Sequence, residues 1–141
     1  MIEFAEIDRD WCLEMLVAAS GGVGRIAVSV SPPMVRPVNY AFDERTQSVV
    51  FRSALSSKLR EGLSSGTAAF EIDGTDPVER AGWSVIIVGE AEEVTDPAEI
   101  DRLEGFELEP WAPGLRTHWV RIRTTSASGR RIVDRDKWGL R

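Results

Sequence analysis

The chain of 141 residues is poor in cysteine, histidine and lysine, and two of these shortages exclude whole classes of site. Cys12 is the only cysteine, so neither an intramolecular disulfide nor a cysteine-based metal site can form. His118 is the only histidine, which excludes a metal site built from several imidazoles. We expect no metal site and no catalytic side chain, so any redox reactivity has to come from a cofactor.

Long apolar runs and an excess of basic charge are also missing. The longest strongly apolar stretch, 83–88, is far too short to span a bilayer, and the acidic N-terminus does not resemble a signal peptide. A net charge of −6 disfavours nucleic acid as a partner, because binding phosphates needs a basic face. These patterns favour a cytoplasmic protein that binds neither membrane nor nucleic acid.

The composition is that of one globular domain covering residues 1–141, with 43% hydrophobic and 28% charged residues. Alternating apolar and polar residues predict six strands, and helical spacing with capping residues predicts three short helices. The predicted strands are 25–31, 35–42, 48–53, 67–73, 83–94 and 118–125. The predicted helices are 9–19, 57–63 and a third that opens at Asp96-Pro97 and closes at Gly105.

Strands of this kind, linked by hairpins, favour a mainly β protein with a small antiparallel barrel, closed or nearly closed. The fifth strand is apolar on both faces from Val85 to Val88, so both faces are expected to be covered. A partner subunit and a helix of the same chain are equally good candidates for the second cover. Gly89 is expected to mark a bend or bulge in this long strand.

Polar and basic side chains gather on the second and third strands and on the helix that follows them. Asn39 lies on the strand face opposite Val38, and an amide can both donate to and accept from the edge of a flat heterocycle. Arg52 and Ser53 end the third strand, and Lys58 lies in the first turn of the next helix. Together with free helix N–H groups these side chains form a phosphate-binding corner. The alternative is a set of ordinary surface charges and a solvated amide.

These motifs, in their order, resemble the pyridoxamine 5′-phosphate oxidase-like family of FMN-binding split barrels, especially its small actinobacterial members. The match covers roughly residues 10–133. The matching segments are Val23-Gly24-Arg25-Ile26-Ala27, Pro37-Val38-Asn39-Tyr40, Phe51-Arg52-Ser53 with Lys58, Gly82-Trp83-Ser84-Val85 with Gly89, His118-Trp119-Val120-Arg121-Ile122, and Gly129-Arg130-Arg131. The resemblance implies a homodimeric, six-stranded antiparallel split β-barrel with short flanking helices and FMN at the subunit interface.

The resemblance also implies a role for eight residues. Val38 and Asn39 are expected to meet the edge of the isoalloxazine ring, partly through backbone groups. Trp83 and Ser84 are expected to approach the flavin from the fifth strand, across the dimer interface. The residues expected to hold the FMN phosphate are Arg52, Ser53, Ser57 and Lys58.

An FMN-dependent oxidoreductase that passes electrons from a reduced nicotinamide to a small organic acceptor is the activity that the resemblance implies. The chain departs from true pyridoxamine phosphate oxidases, because residues 132–141 lack their terminal Arg-x-His substrate motif. Vitamin B6 is therefore not expected as the substrate. Trp83 and Trp138 are the two tryptophans to test for stacking on the flavin.

Three alternatives stay open. An F420-dependent reductase of the same fold would need a basic track for the acidic tail of that cofactor, with Arg25, Arg36 and Arg60 as candidates. A non-catalytic protein could hold flavin or haem as a reservoir or sensor, although His118 is expected to be a structural or surface residue rather than a haem ligand. The last alternative is a barrel that has lost its ligand.

Overall fold

The structure, a computed structural model, describes residues 1–134 and 136. It contains the predicted strands and helices and one further strand near each end of the described chain. No helix in these residues is both long and apolar enough to cross a membrane. In chain order the elements are β1 (Ile2–Ile7), α1 (Arg9–Ala18), β2 (Val23–Val28), β3 (Met34–Asp43), β4 (Ser48–Ser53), α2 (Ser57–Ser64), β5 (Thr67–Asp76), β6 (Ala81–Val94), α3 (Pro97–Glu104), β7 (His118–Arg123) and β8 (Ser126–Asp134).

Strands β2 to β7 close into a six-stranded antiparallel barrel. The neighbours run β6–β5–β2–β3–β4–β7, and β7 pairs back onto β6. The ring can close because β6 is long enough to serve two partners on the same side: 83–88 pair with β8, and 91–94 pair with β7. The predicted mainly β architecture, a six-stranded antiparallel barrel with short flanking helices, is confirmed.

Gly89 lies where β6 passes from one partner strand to the other. A Cβ atom at this position would fall on the carbonyl oxygen of Arg123, at the end of β7. Only glycine lets the two backbones come this close. The glycine expected at a bend or bulge therefore serves a close backbone approach at the change of partner.

Two strands that the sequence pattern does not predict extend the sheet beyond β6. β8 pairs with β6, and β1 pairs with β8 from Ile2 opposite Asp134 to Ile7 opposite Gly129. Phe4 and Ile132, which face each other across this pair, are 66% and 37% exposed. Since neither strand has a fully buried face, neither shows the alternation that marks the barrel strands.

The barrel interior forms the main apolar core. Leu16 of α1 and Leu59 of α2 are almost fully buried in it, alongside the inward residues of the strands. Tyr40 packs edge-on against Phe70 with 5.0 Å between ring centroids, and its hydroxyl donates to the carbonyl oxygen of Leu16 at 2.7 Å. α1 begins as predicted, with Asp8 accepting from a backbone N–H of its first turn. These contacts fix α1 against β3, the strand that leads into the predicted site.

A second, smaller core lies between α3 and the neighbouring strands β3, β4 and β7. Leu103 of α3 and Trp119 of β7 are its most buried members. α3 has the capping residue Asp96 and the first-position Pro97 that the sequence predicts. Leu108, in the segment after α3, is also buried here, which brings that segment close to the ends of β3 and β4.

The second face of β6 is uncovered in the single chain. Val85 and Ile87 are fully buried, whereas Ile86 and Val88 are 40% and 38% exposed. The prediction that a helix of the same chain covers this face is wrong for the described residues, because the helices pack elsewhere. The partner subunit stays a prediction.

Candidate functional site

A cavity of about 240 Å³ opens beside the ends of β3 and β4. Val38 and Asn39 of β3 and Arg52 and Ser53 of β4 line one side of it. The antiparallel register places them together, since Tyr40 pairs with Phe51 and both strands continue to the same edge. The opposite wall comes from the long connection between α3 and β7. The structure thus brings together four of the eight predicted site residues.

Basic side chains set the charge of this cavity. Arg36, Arg52 and Arg116 line it, and no acidic residue is among the described residues of its wall. The guanidinium of Arg116 donates to three carbonyl oxygens of its own loop at 2.9 to 3.1 Å, which holds that loop in shape. In a chain with a net charge of −6, a pocket of this kind favours an anionic ligand.

Arg52 has hydrogen-bonding capacity that the described chain does not use. Its NH1 atom donates to the carbonyl oxygen of Leu108 at 3.4 Å, and the guanidinium lies 5.9 Å from the ring centroid of Trp119. Its Nε atom is buried and has no hydrogen-bond partner within the described residues. A buried N–H without a partner is unfavourable, so an oxygen acceptor entering the cavity would stabilise Arg52.

Asn39 is only 8% exposed, so the alternative of a solvated amide is wrong. Its Oδ1 accepts the backbone N–H of Trp111 at 2.7 Å. Its Nδ2 makes two long contacts, at 3.4 and 3.5 Å, with the carbonyl oxygens of Gly21 and Gly22. The side chain therefore joins the glycine turn after α1 to the connection that forms the far wall of the cavity.

Ser53 is buried, and its hydroxyl oxygen accepts the backbone N–H of Leu55 at 2.9 Å. The bond orients the oxygen and leaves the hydroxyl hydrogen available to donate into the cavity.

Ser57 and Lys58 begin α2 but do not line the cavity. The Lys58 ammonium donates to the carbonyl oxygen of Ser31 at 2.9 Å and lies 3.8 Å from Glu61. Ser56 caps the helix, which leaves the hydroxyl of Ser57 at the exposed first turn. The predicted phosphate corner is therefore assembled in part, with Arg52 and Ser53 in the cavity and Lys58 turned to another loop.

Trp83 and Ser84 lie on β6, away from the arginine-lined cavity of the same chain. Ser84 lines a separate cavity of about 470 Å³ with residues that include Glu6 and Arg130. Trp83 is half-buried and covers Gly74 on the neighbouring strand. An approach to a flavin across a dimer interface stays a prediction for both residues. Trp138, the second candidate for stacking, lies outside the described residues.

His118 has a local partner that fits a structural role. Its Nδ1 lies 2.8 Å from a carboxylate oxygen of Glu93, and it stands opposite Ser53 in the β4–β7 pairing. Within the described chain no three histidine, cysteine or carboxylate side chains are grouped to hold a metal ion. Burial raises the pKa of the Cys12 thiol, which keeps the only cysteine protonated and unreactive.

The three arginines considered for an F420 tail do not form a continuous track. Arg25 is bound to Glu71 and Asp73 at 3.2 and 3.1 Å, and Arg60 lies 3.6 Å from Glu93. Only Arg36 of the three lines the cavity. Two of the candidate cations are thus already neutralised by carboxylates.

Comparison with known proteins decides the family. The family model for pyridoxamine 5′-phosphate oxidase matches residues 8–131. The chain belongs to this family. Within it, the uncharacterized protein Rv0080 of Mycobacterium tuberculosis is 35% identical over 138 residues, which cover 93% of this chain and 87% of that protein.

Solved structures agree with the family assignment. The FAD-binding protein from Mycobacterium smegmatis has a TM-score of 0.72 and 32% identity, covering 90% of this chain and 97% of that one. An FAD-binding protein from Mesorhizobium loti has a TM-score of 0.71 at 20% identity, covering 95% and 100%, and shows the fold alone. The family fold is a flavin-binding split barrel, and the resemblance stated from the sequence is confirmed.

The sequence interpretation missed the far wall of the cavity. This wall belongs to the connection between Glu104 and His118, which has no regular structure of its own. Connections of this length in a compact domain are uncommon and are usually functional. The length of this gap between two predicted elements was a signal that could have pointed to the wall residues, which are Pro110, Ala112, Pro113, Gly114, Leu115 and Arg116.

Proposed function

We propose that this protein is an FMN-binding oxidoreductase that passes electrons from a reduced nicotinamide to a small organic acceptor. The observation that carries the proposal is the buried, unpartnered Nε of Arg52 in a cavity that three arginines line. Such a cavity fits the phosphate of a flavin mononucleotide. When bound, the flavin supplies the hydride and electron chemistry, and the protein supplies binding and orientation.

Four polar residues hold the phosphate in this proposal. The guanidinium of Arg52 offers its free N–H, and Ser53 donates its hydroxyl hydrogen from the adjoining strand end. Ser57 and Lys58 join them from the first turn of α2, where Lys58 exchanges the carbonyl oxygen of Ser31 for a phosphate oxygen. The exchange is favourable because an ammonium binds an anion more strongly than a neutral carbonyl.

The ring system lies against β3 in this proposal, next to Val38 and Asn39. Val38 supplies apolar contact, and backbone groups of both residues meet the polar edge of the ring. The cavity of about 240 Å³ lies below the usual range of roughly 300–1,000 Å³ for ligand pockets, so one chain does not enclose a whole flavin. The remainder has to be covered by another surface.

A second copy of the chain is the proposed cover, so the protein acts as a homodimer. The exposed Ile86 and Val88 on the outer face of β6 support this proposal, because they are apolar side chains on a sheet face that no described helix covers. Burying that face brings Trp83 and Ser84, on the same strand, towards a flavin bound by the other subunit. The reduced, buried Cys12 is compatible with the cytoplasm as the location.

The decisive experiment is an absorption spectrum of the purified protein, with the released cofactor identified by mass. Bound FMN near one per chain supports the proposal, and oxidation of a reduced nicotinamide by an organic acceptor would then establish the activity. Binding of F420 or FAD with no retention of FMN contradicts the choice of cofactor. Stable FMN binding without turnover against broad donor and acceptor panels contradicts the enzymatic part.

A further inference from the structure

Residues 108–116, here called the strap, form one wall of the arginine-lined cavity without belonging to a helix or strand. Leu108 anchors the near end, since its side chain is 6% exposed in the core beside α3. At the far end Arg116 binds the carbonyl oxygens of residues 112–114, so this half of the strap keeps its own shape. Between these two points a single short hydrogen bond ties the strap to the barrel.

That bond joins the side chain of Asn39 to the backbone of Trp111. Asn39 Oδ1 accepts the Trp111 N–H at 2.7 Å, and the acceptor is on a nearly buried residue of β3. Pro110 and Ala112, on either side of Trp111, line the cavity, whereas Trp111 does not line it and is 74% exposed. The bond thus sets where the strap stands relative to the cavity, and the indole does not contribute to the wall.

We propose that Asn39 is a positioning residue, whose side chain acts on the ligand through the strap and not by direct contact. The inference rests on the proposed flavin binding at this site. With Oδ1 occupied by Trp111, the side chain holds Pro110 and Ala112 against the bound ring while Arg52 retains the anionic group. The bond therefore slows ligand release, because a strap fixed at its middle closes the exit from the cavity.

Two substitutions remove this bond from its opposite ends. Asn39→Ala deletes the acceptor, and Trp111→Pro deletes the donor while leaving Asn39 in the cavity wall. Trp111→Ala is the matched control, because it removes the indole but keeps the N–H. Thermal unfolding of each variant shows that the domain is intact before binding is compared.

The measurement is the affinity and the dissociation rate of FMN, followed by flavin fluorescence. Loss of a bond with a buried acceptor is expected to weaken FMN binding by about tenfold in both Asn39→Ala and Trp111→Pro. The change should appear mainly in a faster dissociation rate, and the double variant should be no weaker than either single variant. Trp111→Ala should bind as the wild type does. If Asn39→Ala weakens binding and Trp111→Pro does not, Asn39 touches the ligand directly and the inference is overturned.

Hydrogen exchange of the ligand-free protein separates this inference from the proposed function. Both bond-breaking variants are expected to exchange faster than the wild type across residues 108–116, and Asn39→Asp, which keeps an accepting oxygen, should restore protection. Unchanged exchange in the variants overturns the strap assignment whether or not flavin binds. A wild-type protein that shows the expected exchange but binds no flavin contradicts the proposed function, and with it the role of Asn39 in ligand release.

Discussion

Arg102 of α3 and Asp43 at the end of β3 form a two-pronged ion pair. NH1 lies 3.0 Å from Oδ1 and NH2 lies 2.6 Å from Oδ2, and the Asp43 side chain is only 2% exposed. Glu99 bridges Arg102 to the buried Arg121 of β7. This network joins α3 to two barrel strands, and α3 leads directly into the strap.

Removing the carboxylate of Asp43 should destabilise the protein strongly. Asp43→Ala leaves Arg102 without its buried partner and is expected to lower the free energy of unfolding by about 3 kcal/mol. Denaturant unfolding measures the change. Glu92→Gln is the matched control: its pair with Arg123 is long, at 3.4 Å, and exposed on both sides, so a change under about 1 kcal/mol is expected. Equal effects of the two substitutions would contradict the importance of this pair.

The same pair should make stability depend on acid pH. Burial raises the pKa of Asp43, but hydrogen bonds from Arg102 and Thr46 outweigh it and hold the pKa below its usual range. A carboxyl whose pKa is lowered by folding adds stability that is complete above its unfolded pKa of about 3.9 and is lost as the pH falls through the lowered value. Between pH 5 and pH 3 the wild type should therefore lose more thermal stability than Asp43→Asn. Parallel losses in both proteins would contradict this assignment.

Arg52 should dominate flavin affinity. Arg52→Ala removes the only side chain with a buried, unpartnered N–H at the cavity among the described residues, and FMN binding is expected to weaken by about 10- to 100-fold. Arg123→Ala, which removes an equal charge outside the cavity, should change affinity by less than about twofold at moderate salt. Titration of flavin fluorescence compares the two. Full affinity in an Arg52→Ala, Lys58→Ala double variant would contradict the phosphate site.

The outer face of β6 should control assembly. Ile86→Lys or Val88→Lys places a charge on the face proposed to meet the second copy, and we expect dissociation to monomers with loss of flavin binding. Val78→Lys is the control, because Val78 is 88% exposed in the turn between β5 and β6 and should leave the dimer intact. Sedimentation velocity distinguishes the two states. A wild-type protein that sediments as a monomer would show that the proposed dimer is wrong.

Much of the site was predictable because it lies on regular elements. The alternation in 35–42 and 48–53 predicts two hairpin-linked strands, and the register of such a pair places Asn39 near Arg52. The strap was not predictable from its residues, since 108–116 shows neither a strand nor a helix period. Its position depends on Leu108 in a core beside α3 and on one bond to Asn39, both of which join distant parts of the chain.

The sequence by itself determined the six barrel strands, the three helices with the caps of α1 and α3, and the resemblance to the family. Each of these is written in local periodicity or in short motifs, which need no partner to be recognised. Only the tertiary structure decided that β1 and β8 form, because those two strands pair across the whole length of the domain and have little burial of their own. It also decided which arginines are neutralised by carboxylates and which keep free N–H groups, since such pairs form between side chains that sequence order leaves far apart.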